Sequence, residues 1–183
     1  KTSTYHLGYV IGPRINAGGR VGKCSLGANL LLDNNPKKTF QIATELEKFN
    51  LERKKLEKNL LNVVLNTVNK NLNDPVLVLS GNNWHEGVIG IIASRIKEKF
   101  NKPTIIISIN NKIGKASARS IIGFDIGASI LAAIQKKILI KGGGHKMAGG
   151  FSIAEDKIEK FKEFIKKKFK TKIEKKNDEQ SIY

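Results

Sequence analysis

The chain has 183 residues, 40% of them hydrophobic, a formal net charge of +17 and a single cysteine, Cys24. This length allows one medium domain, or a small domain plus an extended element, with enough apolar content for a real core. One cysteine excludes an internal disulfide, and without an N-terminal apolar segment or a run of eighteen apolar residues the expected location is the cytoplasm.

The positive charge has two readings. It suits a polyanionic partner, but 28 of the 33 cations are lysines in a chain also rich in Asn and Ile, a bias that codon composition alone produces. The five arginines, Arg14, Arg20, Arg53, Arg95 and Arg119, are more informative. Only Arg offers a planar, bidentate fork for phosphate.

Residues 1–33 read as irregular, because Gly8, Gly12, Pro13, Gly18, Gly19, Gly22 and Gly27 punctuate the segment too often for a long helix or strand. Within it, Gly12-Pro13-Arg14-Ile15-Asn16-Ala17-Gly18-Gly19-Arg20 places Arg14, Asn16 and Arg20 on a small-residue loop. Such a loop can lie against a phosphate chain, or it can be a turn whose arginines cap helix carbonyls. An irregular segment here also has the look of a piece that packs against something upstream.

Asn34-Asn35-Pro36 is a helix start, with a capping amide and a proline at the first helical position. Apolar residues then recur at three- and four-residue steps from Ile42 to Val64, interrupted by Arg53, and no breaker follows until Pro75. The spacing predicts one helix of about 35 residues within 34–73, roughly 50 Å long. It is long enough to bridge two bodies.

Residues 74–170 read as an α/β unit. Val76-Leu77-Val78-Leu79-Ser80 and Thr104-Ile105-Ile106-Ile107-Ser108-Ile109 are strands flanking a helix from Val88 to Phe100, the spacing of a crossover into a parallel pair. A third extended piece covers Ile113–Ser120, a helix covers Phe124–Lys137, a short strand covers Gly150–Ile153, and an amphipathic helix begins near Ile158. Residues 171–183 read as a charged, frayed tail.

Three further constellations carry chemistry. In Lys141-Gly142-Gly143-Gly144-His145 the glycines can adopt φ > 0 and turn their N–H groups into one anion-binding concavity, with His145 as imidazole donor, or they can be a plain flexible turn. The following Lys146-Met147-Ala148 reads as a helical turn. Ser117, Arg119 and Ser120 offer hydroxyl and guanidinium to a phosphate if strand alternation turns Ser117 and Arg119 to one side; otherwise they form a charged edge. In Trp84-His85-Glu86-Gly87, His85 sits at a helix N-terminus, where the dipole favours a bound anion or Glu86 itself. Trp84 either stacks on a base or fills the core. No metal site is visible: the three histidines show no ligand spacing, and no Gly-x-Ser-x-Gly elbow supports a serine nucleophile.

Taken together and in order, the Gly12–Arg20 motif, Trp84-His85-Glu86-Gly87-Val88-Ile89-Gly90, Ser117-Ala118-Arg119-Ser120 and Gly142-Gly143-Gly144-His145 with Ala148-Gly149-Gly150 resemble the C-terminal half of the RecJ family. These are single-stranded-DNA-specific 5′-to-3′ exonucleases of the DHH phosphoesterase superfamily. The resemblance covers residues 2–170. It implies an α/β fold in which a long connector helix precedes a small mixed-sheet, DHH-associated domain with flanking helices. It also implies that Gly142–His145 contact the substrate phosphate, with His145 as an assisting donor, and that Ser117 and Arg119 hold the DNA 5′ end. Arg14 and Arg20 would lie near the domain junction. The family's usual Ala-Ala-Gly is Ala17-Gly18-Gly19 here.

The same resemblance implies Mn²⁺ or Mg²⁺ bound by an N-terminal DHH domain, and an OB-fold after the last helix, neither of which is in this sequence. The expected role is substrate grip in DNA repair and recombination, without hydrolysis by this chain alone, in a bacterial cytoplasm. Competing readings are an oligoribonuclease or phosphoadenosine phosphatase of the same superfamily, and a non-catalytic RNA-binding module like that of alanyl-tRNA synthetase.

Overall fold

The computed structural model describes residues 1–68 and 72–180, with side chains through Lys172. The end of the expected connector helix at 69–71 and the tail residues 181–183 lie outside the described residues. The chain forms two compact units, residues 1–59 and 60–183.

The first unit is helical where the sequence suggested loop. A π-helical turn at His6–Ile11 leads into α1 (Gly12–Val21) and then α2 (Leu26–Leu32). Local glycine content disfavours a helix by up to about 1 kcal/mol per residue; tertiary packing overrides it here. A Cβ at Gly18 would stand 2.8 Å from the Lys23 carbonyl oxygen, and one at Gly27 would stand 2.9 Å from the Ile15 carbonyl oxygen. The glycines allow close helix packing; they do not break the helices. Leu26, Ile42 and Leu46 form this unit's small core, with Leu30 and Phe49 beside them.

The long helix α3 (Pro36–Val68) begins where the sequence indicated. The Asn35 side chain accepts from the N–H groups of Lys37 and Lys38, at 3.0 and 3.2 Å, satisfying donors that a helix start otherwise leaves unpaired. Just before it, Asp33 accepts from the Asn35 N–H and pairs with Lys38. These contacts, Lys38 foremost, hold the Asp33 carboxyl below its ordinary value. Because the folded value is the lower one, this contribution is present above the unfolded pKa and is lost as pH falls through the folded value. Asp33→Asn should therefore lower stability slightly at neutral pH and leave it nearly unchanged at low pH, which flattens the acid limb of the pH–stability curve; a side-chain carboxyl NMR titration of Asp33 with an ordinary midpoint would contradict this.

The polar interruption at Arg53 is a buried cluster. Arg53 Nη1 lies 2.7 Å from Glu57 Oε2, and Nη2 donates to Asn50 Oδ1 at 3.0 Å. Asn50 and Glu57 are only 1% and 4% exposed.

The second unit is a five-stranded mixed sheet in the order β1-β2-β3-β5-β4: β1 (Leu77–Asn82), β2 (Thr104–Asn110), β3 (Ile113–Arg119), β4 (Lys141–His145) and β5 (Ala148–Ala154). β1 and β2 are parallel, joined through α4 (Glu86–Phe100) as the crossover spacing requires; the other neighbours are antiparallel. Between β3 and β4 runs α5 (Ile126–Gln135), and α6 (Ile158–Gln180) follows β5 after a 3₁₀ turn. α6 continues past Lys170, where fraying was expected. Its Lys- and Glu-rich sequence has good helix propensity and no breaker.

Alternation divides the sheet into two faces. Val78, Ile105, Ile107, Ala116, Ala118, Phe151 and Ile153 face a common core with Ile126 and Ile130 of α5 and with Phe161 and Ile165 of α6. The rings of Phe151 and Phe161 tilt together at 4.7 Å. The opposite face is covered by α4 only in part, because α4 packs on β2 and β3. β5 and β4 keep that face open, and this sets the position of the candidate site.

Candidate nucleic-acid interface

The register of three strands builds a nine-residue grid on the open face. Lys115 pairs with Ser152 and Ser152 with Lys141; Ser117 pairs with Gly150 and Gly150 with Gly143; Arg119 pairs with Ala148 and Ala148 with His145. The four corners are therefore Lys115, Arg119, Lys141 and His145, with two serines on the sides and Gly150 in the centre. With strands roughly 4.8 Å apart, Arg119 and His145 are separated by on the order of 10 Å at their backbones, facing one surface. A single phosphodiester segment can reach both.

The floor lacks side chains. A Cβ at Gly143 would meet nothing within 4 Å, and one at Gly150 would meet only the Ala116 carbonyl oxygen at 3.3 Å. As the edge strand, β4 also leaves alternate N–H groups unpaired by the sheet.

This differs from the expected cradle. Gly142, Gly143 and Gly144 are extended strand residues, and among the described residues the positive-φ glycine is Gly123. Lys146 and Met147 form the turn of a hairpin, not a helical turn. The alternation also splits the three glycines. Gly143 lies on the open floor, whereas Gly142 and Gly144 face the other way and permit close approach of backbone. A Cβ at Gly142 would fall 2.5 Å from that of Phe151; one at Gly144 would strike the Ala148 carbonyl oxygen and sit 2.5 Å from Gly149 Cα. Gly127 of α5 packs against the Gly144 and His145 carbonyls.

His145 is exposed, and its Nδ1 accepts from the Met147 N–H at 3.3 Å. In the neutral ring this acceptor role puts the proton on Nε2, which is then a donor for a phosphate oxygen. Arg119 Nη1 donates to Ser117 Oγ at 3.1 Å and to its own strand at the Ala118 carbonyl, 2.8 Å away. Ser117 thus holds the guanidinium along β3. Gly90 of α4 leaves room beside this pair: a Cβ there would come within 3.1 Å of Ser117 Oγ and 3.3 Å of Arg119 Nη2.

The other expected residues have different places. Ser120 is 1% exposed; its hydroxyl donates to the Phe124 carbonyl at 2.6 Å and its N–H to the Met147 carbonyl at 2.8 Å. It braces the hairpin and is not a phosphate contact. His85 caps α4, its Nδ1 accepting from the Gly87 N–H at 3.2 Å. The neighbouring Glu86 bonds Lys115 at 2.8 Å. The positive pole of α4 therefore already has a carboxylate and a cap, and His85 sits at the Lys115 end of β3, roughly four residues or 13 Å along the strand from Arg119. Trp84 takes a packing role, its indole lying over Gly81 and its carbonyl accepting from Ser108.

Arg14, Asn16 and Arg20 belong to the first unit and lie on helix α1, not on a loop. Arg14 is engaged by Glu47 and donates to the Val10 carbonyl at 2.7 Å. Its guanidinium is engaged in packing within the first unit. Asn16 and Arg20 are exposed.

Five of the nine grid residues were not among the expected site residues: Lys115, Lys141, Ala148, Gly150 and Ser152. The signal was the i, i+2, i+4 parity of Lys141, Gly143 and His145, matching that of Lys115, Ser117 and Arg119. Reading it requires the strand pairing.

Among the described residues no group of three or more His, Cys, Asp or Glu side chains could hold a metal ion. The described residues therefore offer no ligand cluster for a Mn²⁺ or Mg²⁺ centre. What they can do is bind a phosphodiester through two or three cations and one imidazole donor, bringing its backbone close to the sheet.

Comparison with known proteins matches this architecture. Residues 73–171 match the DHHA1 domain. The chain is 37% identical over 166 residues to the single-stranded-DNA-specific exonuclease RecJ of Salmonella typhimurium, covering 86% of this chain and 29% of that protein. It is 36% identical over 171 residues to RecJ of Escherichia coli, covering 89% and 30%. The Mn²⁺ complex of RecJ from Thermus thermophilus superposes with a TM-score of 0.80 at 29% identity, over 91% of this chain and 24% of that one. The chain thus spans about a third or less of the length of these relatives. With a family match over more than half its residues, and the sheet, helix order and glycine–histidine hairpin all in place, the chain belongs to the DHHA1 domain family.

Proposed function

We propose that the open grid grips the sugar–phosphate backbone of single-stranded DNA for a RecJ-type, metal-dependent 5′-to-3′ exonuclease acting in DNA repair and recombination in the bacterial cytoplasm. The observation that carries this is the alignment of Arg119, Ala148 and His145 across three strands, on a face whose floor is glycine. Arg119, steadied by Ser117, supplies charge and direction; His145 supplies an Nε2–H donor; Gly143 and Gly150 let the strand approach. The Mn²⁺ or Mg²⁺ that such an exonuclease uses would be held by a DHH domain rather than by these residues, and an OB-fold would extend the DNA path. On this reading the isolated chain binds and does not hydrolyse. Among the described residues no helix is long and apolar enough to cross a membrane.

The test is a titration of 5′-phosphorylated oligothymidylate followed by fluorescence anisotropy at fixed salt. Arg119→Lys should weaken binding about tenfold or more, the scale of one charge-assisted, directional hydrogen-bond set, while Lys172→Ala changes it less than twofold. Equal losses would reduce the interaction to bulk lysine charge, which also predicts a steep salt slope and no dependence on the 5′-phosphate. Preference for structured RNA in competition would favour the RNA-binding reading. Robust, EDTA-sensitive release of nucleotides by the pure chain would contradict the division of labour.

A further inference from the structure

Beside the grid the structure holds two apolar side chains out into solvent. Ile122 is 93% exposed and Met147 is 40% exposed. Isolated exposed apolar residues are ordinary on protein surfaces; these two differ in how they are held. Ile122 occupies the second position of a turn closed by the Phe124 N–H donating to the Ile121 carbonyl at 3.4 Å, with Gly123 at φ +97° completing it. Both ends of that turn are tied to the hairpin that carries His145. Ser120 N–H donates to the Met147 carbonyl at 2.8 Å, and Ile126 N–H donates to the Lys146 carbonyl at 3.3 Å. Below the turn, Phe124 is buried against Phe169, ring centroids 5.0 Å apart. The turn therefore cannot fold Ile122 back onto the protein.

Met147 is coupled to the site through its own N–H, which donates to His145 Nδ1. The segment that carries Ile122 and the turn that carries Met147 are thus both hydrogen-bonded to the hairpin that presents His145 in its row with Arg119 and Ala148. Cationic and donor groups lie on the grid, and apolar surface lies at its rim.

We propose that Ile122 and Met147 form an apolar rim that packs against the face of an unpaired base next to the phosphate gripped by Arg119 and His145. The inference rests on the phosphate-binding reading above and adds the feature that would select single strands. In a duplex the base faces are stacked and their edges paired, so the rim has nothing to touch; in a single strand every base offers an apolar face, irrespective of sequence. The occupant follows from continuity with the cationic grid: a strand whose phosphates lie on Arg119 and His145 carries its bases at the adjacent edge.

The experiment compares oligothymidylate with an abasic deoxyribose-phosphate oligomer of the same length and 5′-phosphate, titrated into the wild-type chain, Arg119→Ala and the double variant Ile122→Ser/Met147→Ser. The wild type should prefer thymidylate about tenfold, and the double variant should lose that preference while keeping its affinity for the abasic strand. Because both side chains are exposed, the double variant should keep the wild-type melting temperature. A thymidylate preference that survives in the double variant overturns the rim and leaves the phosphate reading standing. An abasic-strand affinity that Arg119→Ala does not lower overturns the phosphate reading, and the rim with it.

Discussion

Gly144→Val should open the β4–β5 hairpin and sharply weaken oligonucleotide binding, whereas Gly143→Val, one residue earlier, should leave the fold intact. The difference comes from alternation on an edge strand. At Gly144 a Cβ would strike the Ala148 carbonyl oxygen and sit 2.5 Å from Gly149 Cα, both backbone atoms of the partner strand. Backbone cannot rotate away as a side chain does, so the strands must part. The cost should reach at least about 3 kcal/mol, the upper end of overpacking penalties, or roughly a 10 °C loss in melting temperature for a unit of this size. With the hairpin open, His145 leaves its row with Arg119, and affinity for 5′-phosphorylated oligothymidylate should fall about a hundredfold.

At Gly143 a Cβ meets nothing within 4 Å. The side chain of valine projects onto the open floor, so melting temperature should stay within about 2 °C while DNA affinity falls through loss of close approach. Calorimetry and anisotropy on the two variants check this directly. If Gly143→Val melted low and Gly144→Val were neutral, the strand parity, and with it the grid, would be wrong.

The second large effect is expected far from the grid, in the long helix. Glu57→Ala should destabilise the protein by about 3–5 kcal/mol, because it leaves the Arg53 guanidinium in a buried setting without its carboxylate. The Arg53 and Glu57 side chains are only 12% and 5% exposed, so water cannot fully replace the lost partner. The contrast is Arg53→Met/Glu57→Met, which removes both charges and restores apolar packing. It should cost much less than the single substitution. Urea unfolding of the three proteins, followed by far-UV circular dichroism, gives the comparison. Equal losses for the single and double variants would show that these side chains matter for shape alone.

Much of the second unit was legible from the chain itself. The β1–α4–β2 crossover follows from two apolar β-rich runs around a helical period, since two strands buried on both sides and joined by a helix have few other ways to pair. The α3 start at Pro36 follows from an Asn cap and a proline that needs no N–H partner. Both are local signals. The helical nature of residues 6–32 was not local. Their glycines argue against helix by propensity, and only contacts such as Gly18 with Lys23 and Leu46, or Gly27 with Ile15, make helix the better state.

At the site the same boundary appears. Residue types alone singled out Ser117, Arg119, the glycines and His145, because a hydroxyl, a guanidinium, a bare backbone and an imidazole are what a phosphate needs. Sequence could not decide which of them share a surface. The tri-glycine segment was chemically compatible with a φ > 0 nest or with a flat strand; pairing with β5 made it a strand, turning Gly143 to the open face and Gly142 and Gly144 to the protein. Ser120, one residue past Arg119, was turned inward to brace the hairpin, and Arg14 was taken by Glu47. Composition and order along the chain thus determined the inventory of donors and the helix–strand succession. The register between strands far apart in sequence decided which donors share one face of the sheet, because a shift of one residue in pairing moves every side chain to the other face.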